Sequence, residues 1–255
     1  MRLNKYLARY AGVSRREADR LIEAGIVTVN GKTAEIGTVI DEDTAEICVE
    51  GRLIVRDEVR HYYAVYKPTG YISSTVRQGP DDLLVTDLVP CGDSKRLFPM
   101  GRLDKDSEGL IILTDDGELM NLVLRSRYGH EKEYWVGLDS QISDDIIKEI
   151  AAGGLDIGEG RPTKPCRIKR VASDELFMII TEGMNREIRR IFELYDIRVK
   201  SLCRIRFMNI TLGRLGAGEY RELTESETEE MKQCALRNKD VHGGPDDGNG
   251  NKRKV

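Results

Sequence analysis

FPMGRLDKDSEGLIILTDDGEL, residues Phe98 to Leu119, sets one carboxylate between a glycine-bearing turn and a short apolar run. Gly101 and Gly109 permit tight backbone paths, and GLIILT, closed by the D-D-G turn, has the length and unbroken apolarity of a buried strand. A strand anchored in a core holds the loop before it rigid, so Asp104 can project into a cleft. Asp104, Asp106 and Ser107 are equally the residues of an ordinary turn, and spacing alone leaves both readings open.

Outward from this segment, YYAVYKPTG upstream is a strand entering a Pro-Gly turn, while EYWVGL, RIKRVA, LFMIIT, RVKSLCRIRFMNITLG and EYREL downstream carry strand patterning. ELMNLVLRS, ISDDIIKEIAAGG and NREIRRIFELYD have helical spacing. Strands outnumber helices without alternating regularly with them, which predicts an α+β fold rather than a doubly wound parallel sheet. LRNKDVHGGPDDGNGNKRKV is nearly free of large apolar residues, so a disordered tail is expected over 233–255.

The N-terminal region has its own organisation. Leu3, Leu7, Ala8 and Ala11 share a helical face followed by Gly12, and Ser14 with Glu17 forms an S-x-x-E capping box ahead of the stripe Ala18, Leu21 and Ile22. Asn30-Gly31 predicts a type I′ hairpin, and Glu50-Gly51 a second turn between edge strands. The charged RDEVR reads as a linker, giving domains at 1–60 and 61–232.

Composition excludes several classes of function. With 40% apolar and 33% charged residues the chain has no apolar run near the ~20 residues that cross a bilayer, so no membrane role is expected. MRLNKYLARYAG is interrupted by Asn4, Lys5 and Arg9, unlike a secretory signal, and a cytoplasmic location follows as an expectation. The five cysteines are scattered and never in C-x-x-C spacing, so they are expected to be reduced and mostly buried; the three histidines are far apart. No metal site is expected, which leaves carboxylate, tyrosine or arginine to carry any chemistry. The net charge of −4 hides a local excess of seven positive charges from Arg161 to Arg214, enough to present a basic face.

Two resemblances sharpen these readings. RLNKYLARYAGVSRREADRLIEAGIVTVNGKTA resembles the S4 (αL) RNA-binding domain, over about the first sixty residues. It implies that Arg2, Lys5, Arg15, Arg16, Arg20 and Lys32 are candidate phosphate contacts; an exposed helix with pairs such as Arg15 to Asp19 is the plainer alternative. GRLDKDSEGLIILTDDGEL is similar to the signature around the catalytic aspartate of pseudouridine synthases of the RsuA and RluB/E/F type. YKPTGYISS, KEYWV and EGMNREIRRIF follow in that family's order, and HEKEYWV, MNREIRR and RFMNITL look most like its F branch. Glu187 departs from the pattern, since many relatives carry glutamine there.

The resemblance implies a mixed, largely antiparallel sheet flanked by helices, and an isomerase acting on uridines of ribosomal RNA, in particular of the large subunit. Asp104 would be the catalytic carboxylate, Arg189 the basic residue that pairs with it and keeps it ionised, and Tyr134 the ring against the target uracil. Arg102 would hold the flipped nucleotide, Arg186 would bind substrate, and Lys67 would line the pocket floor. The reaction exchanges no electrons and needs no external group, so no cofactor is expected. The implied partner is an RNA stem-loop, with transfer RNA as a second candidate, and the implied state is a monomer. The rival from another class is an S4-domain RNA-binding or assembly factor that has lost catalysis.

Overall fold

The structure, a computed structural model, describes residues 1–56, 59–90, 96–124 and 129–242, with 239–242 as backbone. Its residues group into two compact units, one of Met1–His61, Pro90–Phe98 and Thr114–Gly117, the other of Tyr62–Val89, Pro99–Leu113 and Glu118–Val255. Residues 243–255, which hold most of the expected tail, lie outside the described residues.

In the first unit, helices α1 (Leu3–Tyr10) and α2 (Arg15–Glu23) precede strands β1 (Val27–Val29), β2 (Lys32–Thr33), β3 (Ile47–Val49) and β4 (Arg52–Leu53). The capping box forms in full: the Glu17 N–H donates to Ser14 Oγ at 3.1 Å and the Ser14 N–H to Glu17 Oε2 at 3.4 Å. Asn30 and Gly31 have φ of 51° and 76°, and Glu50 and Gly51 have 51° and 75°, the left-handed pairs that a tight hairpin turn requires. The strands pair in the order β2-β1-β3-β4. Leu3, Leu7, Ala18, Ile22, Val27 and Ile47 pack as its core.

The second unit contains β5 (Tyr62–Lys67), β6 (Tyr71–Ile72), β7 (Leu83–Leu84), β8 (Phe98–Met100), β9 (Glu108–Thr114), α3 (Gly117–Val123) and β10 (Lys132–Leu138), all but the end residues Phe98, Thr114 and Gly117. It continues with α4 (Asp144–Ala152), β11 (Arg167–Arg170), β12 (Glu175–Ile180), α5 (Glu187–Glu193), β13 (Val199–Phe207), β14 (Ile210–Thr211), β15 (Tyr220–Glu222) and α6 (Glu225–His242). Among the described residues one mixed sheet runs β11-β12-β10-β13-β9-β5-β15, with β14 on β13 and β8 on β9. The β9–β13 pair is parallel, while β10–β12, β10–β13, β11–β12 and β5–β15 are antiparallel, so the fold is α+β as expected. Leu110 to Leu113 are fully buried, making β9 the central anchor that its apolar run predicts.

Two expectations need correction. Helix α6 continues through residues 233–242, where the sequence suggested disorder. Its start is a second capping box, in which the Glu227 N–H donates to Thr224 Oγ1 at 3.2 Å and the Thr224 N–H to Glu227 Oε2 at 2.9 Å. Met231 and Ala235, both fully buried, are enough to dock the helix although its other residues are mostly polar. Of the described cysteines only Cys203 is buried; Cys48, Cys166 and Cys234 are half-buried, and all four are free thiols.

Candidate active site

The residues that form the site all belong to the second unit. Register brings three strands to one place: Arg204 of β13 lies opposite Gly109 of β9 and opposite Tyr134 of β10. Gly109 is required there. Its φ is 101°, and a Cβ would collide with the Arg204 backbone, its carbonyl oxygen above all. An irregularity in the pairing between Glu133 and Tyr134 locally re-aims the β10 side chains.

The loop before β9 is tied down from beneath. Fully buried Lys67 donates to the carbonyls of Pro68 at 2.9 Å and Ser107 at 2.7 Å. Ser73 Oγ donates to the Leu103 carbonyl and accepts from the Leu103 N–H at 2.9 and 3.0 Å, and the Gly70 N–H reaches the Lys105 carbonyl at 2.7 Å. The Y-K-P-T-G-Y-I-S-S segment thus clamps the loop on both sides of Asp104, and the Ser107 N–H closes the turn on the Asp104 carbonyl at 3.1 Å. Burial lowers the Lys67 ammonium to about 8, against the opposing pull of Asp106 and Asp104. Lys67, grouped with the substrate-binding residues and expected at the pocket floor, has its ammonium committed to these two carbonyls.

Asp104 itself is partly open, with 35% of its side chain exposed. Among the described residues the cation paired with it is Arg186, whose Nη1 lies 3.8 Å from Oδ2, where the resemblance implied Arg189. Arg186 also grips Asp106 through two hydrogen bonds of 3.0 Å, which hold the Asp106 carboxyl below the usual carboxylate range. Arg189 is buried and turned to the backbone: it donates to the carbonyls of Val199 at 2.8 Å and Asp106 at 2.9 Å, and its Nε lies 3.3 Å from Asp106 Oδ2. The difference follows from position. Arg186 precedes α5 with a left-handed φ of 49° that swings it toward the loop, whereas Arg189 sits inside the helix against the core.

Tyr134 is buried, and burial pushes its phenol up, opposed by the adjoining Arg204 guanidinium; the hydroxyl is therefore protonated at neutral pH. Arg204, only 1% exposed, donates through Nε to the Leu110 carbonyl at 2.7 Å and fixes the sheet behind the site. Arg102 is exposed. Beside the aspartates opens a cleft of about 420 Å³ lined by Arg186, Arg189, Arg198 and Lys200 with Asp106 and Glu193, a predominantly basic surface suited to phosphates. The candidate RNA contacts of the first unit, Arg2, Lys5, Arg15, Arg16, Arg20 and Lys32, are all exposed. Asp19 hydrogen-bonds Asn4 at 2.8 Å.

Asp106 and Arg204 were not singled out by sequence reasoning. The first was legible only as a turn former and the second as one cation of a basic strand. Among the described residues no group of three or more His, Cys, Asp or Glu side chains is placed to hold a metal ion.

The RNA pseudouridylate synthase family matches residues 61–194, and the S4 domain family residues 1–43. The dual-specificity RNA pseudouridine synthase RluF of Salmonella typhi is 44% identical over 229 residues, covering 89% of this chain and 76% of that protein. This chain belongs to the RNA pseudouridylate synthase family. The ribosomal small subunit pseudouridine synthase A of Escherichia coli K12 is 33% identical over 228 residues, covering 89% of this chain and 98% of that protein. A solved pseudouridylate synthase crystal structure is 30% identical with a TM-score of 0.66, covering 91% of this chain and 99% of that one. The synthase pairs an RNA-binding module with an isomerase fold, and its clamped loop lies within the synthase match.

Proposed function

We propose that this synthase converts selected uridines of ribosomal RNA to pseudouridine, with Asp104 as its catalytic carboxylate. The observation that carries the reading is the Asp104 loop: a partly open carboxylate clamped on both sides and 3.8 Å from an arginine. The reaction breaks C1′–N1, turns the uracil, joins C5 to C1′, and moves one proton from C5 while N1 gains one. The Asp104 carboxylate serves it either by attacking the substrate as a nucleophile or by taking the C2′ proton to open a glycal path.

Arg186 approaches Asp104 to 3.8 Å and orders the loop through Asp106, whereas the resemblance had assigned the pairing with Asp104 to Arg189. Tyr134 offers a ring to stack on the extruded base, and its protonated hydroxyl can donate a hydrogen bond to the substrate but cannot itself take the C5 proton. Arg102, exposed two residues before the carboxylate, is suited to hold the nucleotide out of its stack, and extrusion is cheapest from a loop or junction. The basic cleft would take the flanking phosphates, and the exposed cations of the S4 module the stem. The protein would act as a monomer in the cytoplasm; among the described residues no helix is long and apolar enough to cross a membrane. The dual specificity for which the Salmonella relative is named supports a second class of RNA substrate, for which transfer RNA is the candidate to test.

Incubating the protein with unmodified ribosomal and transfer RNA and mapping pseudouridine at single-nucleotide resolution tests the reading. Asp104→Asn should lower product formation by about 10⁴-fold or more, as expected for removal of a principal catalytic group. Equal product from both proteins would remove Asp104 from the mechanism, and no product from either would leave the chain an RNA-binding factor.

A further inference from the structure

Beneath Arg186 lie two carboxyl groups that the proposed reaction does not use. Glu182 is 1% exposed and Glu187 5%, and their side chains are within hydrogen-bonding reach of each other. Glu182 has the better anion site: its Oε1 accepts the Lys164 N–H at 2.5 Å and its Oε2 is bound by Arg161. Glu187 Oε2 accepts the Met184 N–H at 2.9 Å, closing a four-residue turn. Arg186 stands in that turn with its left-handed φ, one residue before α5.

Two adjacent buried carboxylates cannot both carry charge cheaply, so one proton stays in the pair. The partners of Glu182 stabilise its negative form, and the proton therefore rests on Glu187. Protonated Glu187 does two jobs at once: its O–H donates to Glu182 and its other oxygen accepts from Met184. A glutamine at this position would do the same with its amide. Ionised Glu187 keeps the acceptor but loses the donor, and meets the Glu182 charge across the gap.

We propose that Glu187 is a positioning residue of this synthase, and that the proton it shares with Glu182 holds the Met184–Glu187 turn and thereby the grip of Arg186 on Asp106 and its approach to Asp104. The inference rests on the proposed reaction at Asp104. Burial raises the Glu187 carboxyl to about 7, with the Glu182 charge adding to the rise and the Met184 N–H and Lys132 opposing it. Glu182, which burial would raise, is carried below its ordinary range by the Lys164 N–H and Arg161. The other groups facing the pair are Lys132, which burial lowers to about 8, the Cys166 thiol, raised to about 11, and the Tyr134 phenol, which burial raises. A group whose folded value is raised holds its proton through the acid side, so the arrangement is intact below neutrality and is lost as pH rises.

The test is kcat/KM on unmodified ribosomal RNA from pH 5.5 to 9, for the wild type and Glu187→Gln, alongside ¹³C-carboxyl and arginine ¹⁵Nε spectra of the wild type. The wild type should lose about tenfold between pH 6 and 8, the fall expected of one essential proton near pH 7, and Glu187→Gln should be flat there. The Glu187 carboxyl and the Arg186 Nε should titrate together with the same midpoint. A limb that persists in Glu187→Gln assigns it to Lys132 or Lys67 and overturns the proposal, as does a Glu187 midpoint below pH 5. Absence of product at every pH refutes the reaction at Asp104 instead; the coupled or uncoupled titration of Arg186 then still decides whether Glu187 holds the turn.

Discussion

Arg186 and Arg189 differ by one helical turn and by everything that burial imposes. The side chain of Arg186 is 39% exposed and spends its hydrogen bonds on a carboxylate at the site, whereas that of Arg189 is 9% exposed and spends two of its donors on carbonyls of the fold. Removing a buried donor leaves those carbonyls unsatisfied, a cost of about 1–3 kcal/mol per group. Arg189→Ala should therefore lower the urea midpoint, by about 2–4 kcal/mol in unfolding free energy. Arg186→Ala should leave the midpoint nearly in place and cut single-turnover rates by about 10²-fold, as loss of one preorganised charge does. The reverse pattern would show that the two arginines have been assigned to the wrong tasks.

At the scale of the element, β9 sets the position of the loop and is itself set by one missing side chain. Gly109 lets β9 run parallel to β13 with the Arg204 backbone against its Cα, and the same register puts Tyr134 across from Arg204. Gly109→Ala requires a positive φ and displaces backbone rather than a flexible side chain, so it should destabilise the synthase by about 2–4 kcal/mol and lower activity with it. Thermal unfolding with circular dichroism checks this, and a shift of less than about 2 °C would refute the close approach. The apolar run of GLIILT, the capping box at Ser14 and the Asn30-Gly31 turn were all legible because each depends on neighbours within a few residues. The capping box at Thr224 carries the same signature but heads a helix with little apolar patterning, so it does not announce α6; the docking of that helix through Met231 and Ala235 depends on what the rest of the chain offers.

Across the whole molecule, the charge total of −4 says less than its distribution. Cations are exposed along the S4 module and line the cleft beside the aspartates. Replacing Arg15, Arg16 and Arg20 together with alanine should weaken binding of the RNA and flatten its dependence on salt, by roughly 2–3 in the slope of log affinity against log salt if all three meet phosphates. Filter binding across a salt series measures both quantities, and an unaltered slope would remove α2 from the RNA interface.

The amino-acid order alone determined the class of fold, the family resemblance and the segment that bears Asp104, because capping, turn chemistry and apolar runs act over short stretches of chain. Tertiary structure decided which groups meet. Asp104 and Arg186 are separated by 82 positions in sequence and lie 3.8 Å apart, Lys67 closes on Ser107 from forty residues away, and burial beside Glu182 raises the Glu187 carboxyl. No local pattern encodes those distances or that desolvation. They arise when the sheet register is complete and the low-dielectric interior makes each charge answer to its new neighbours.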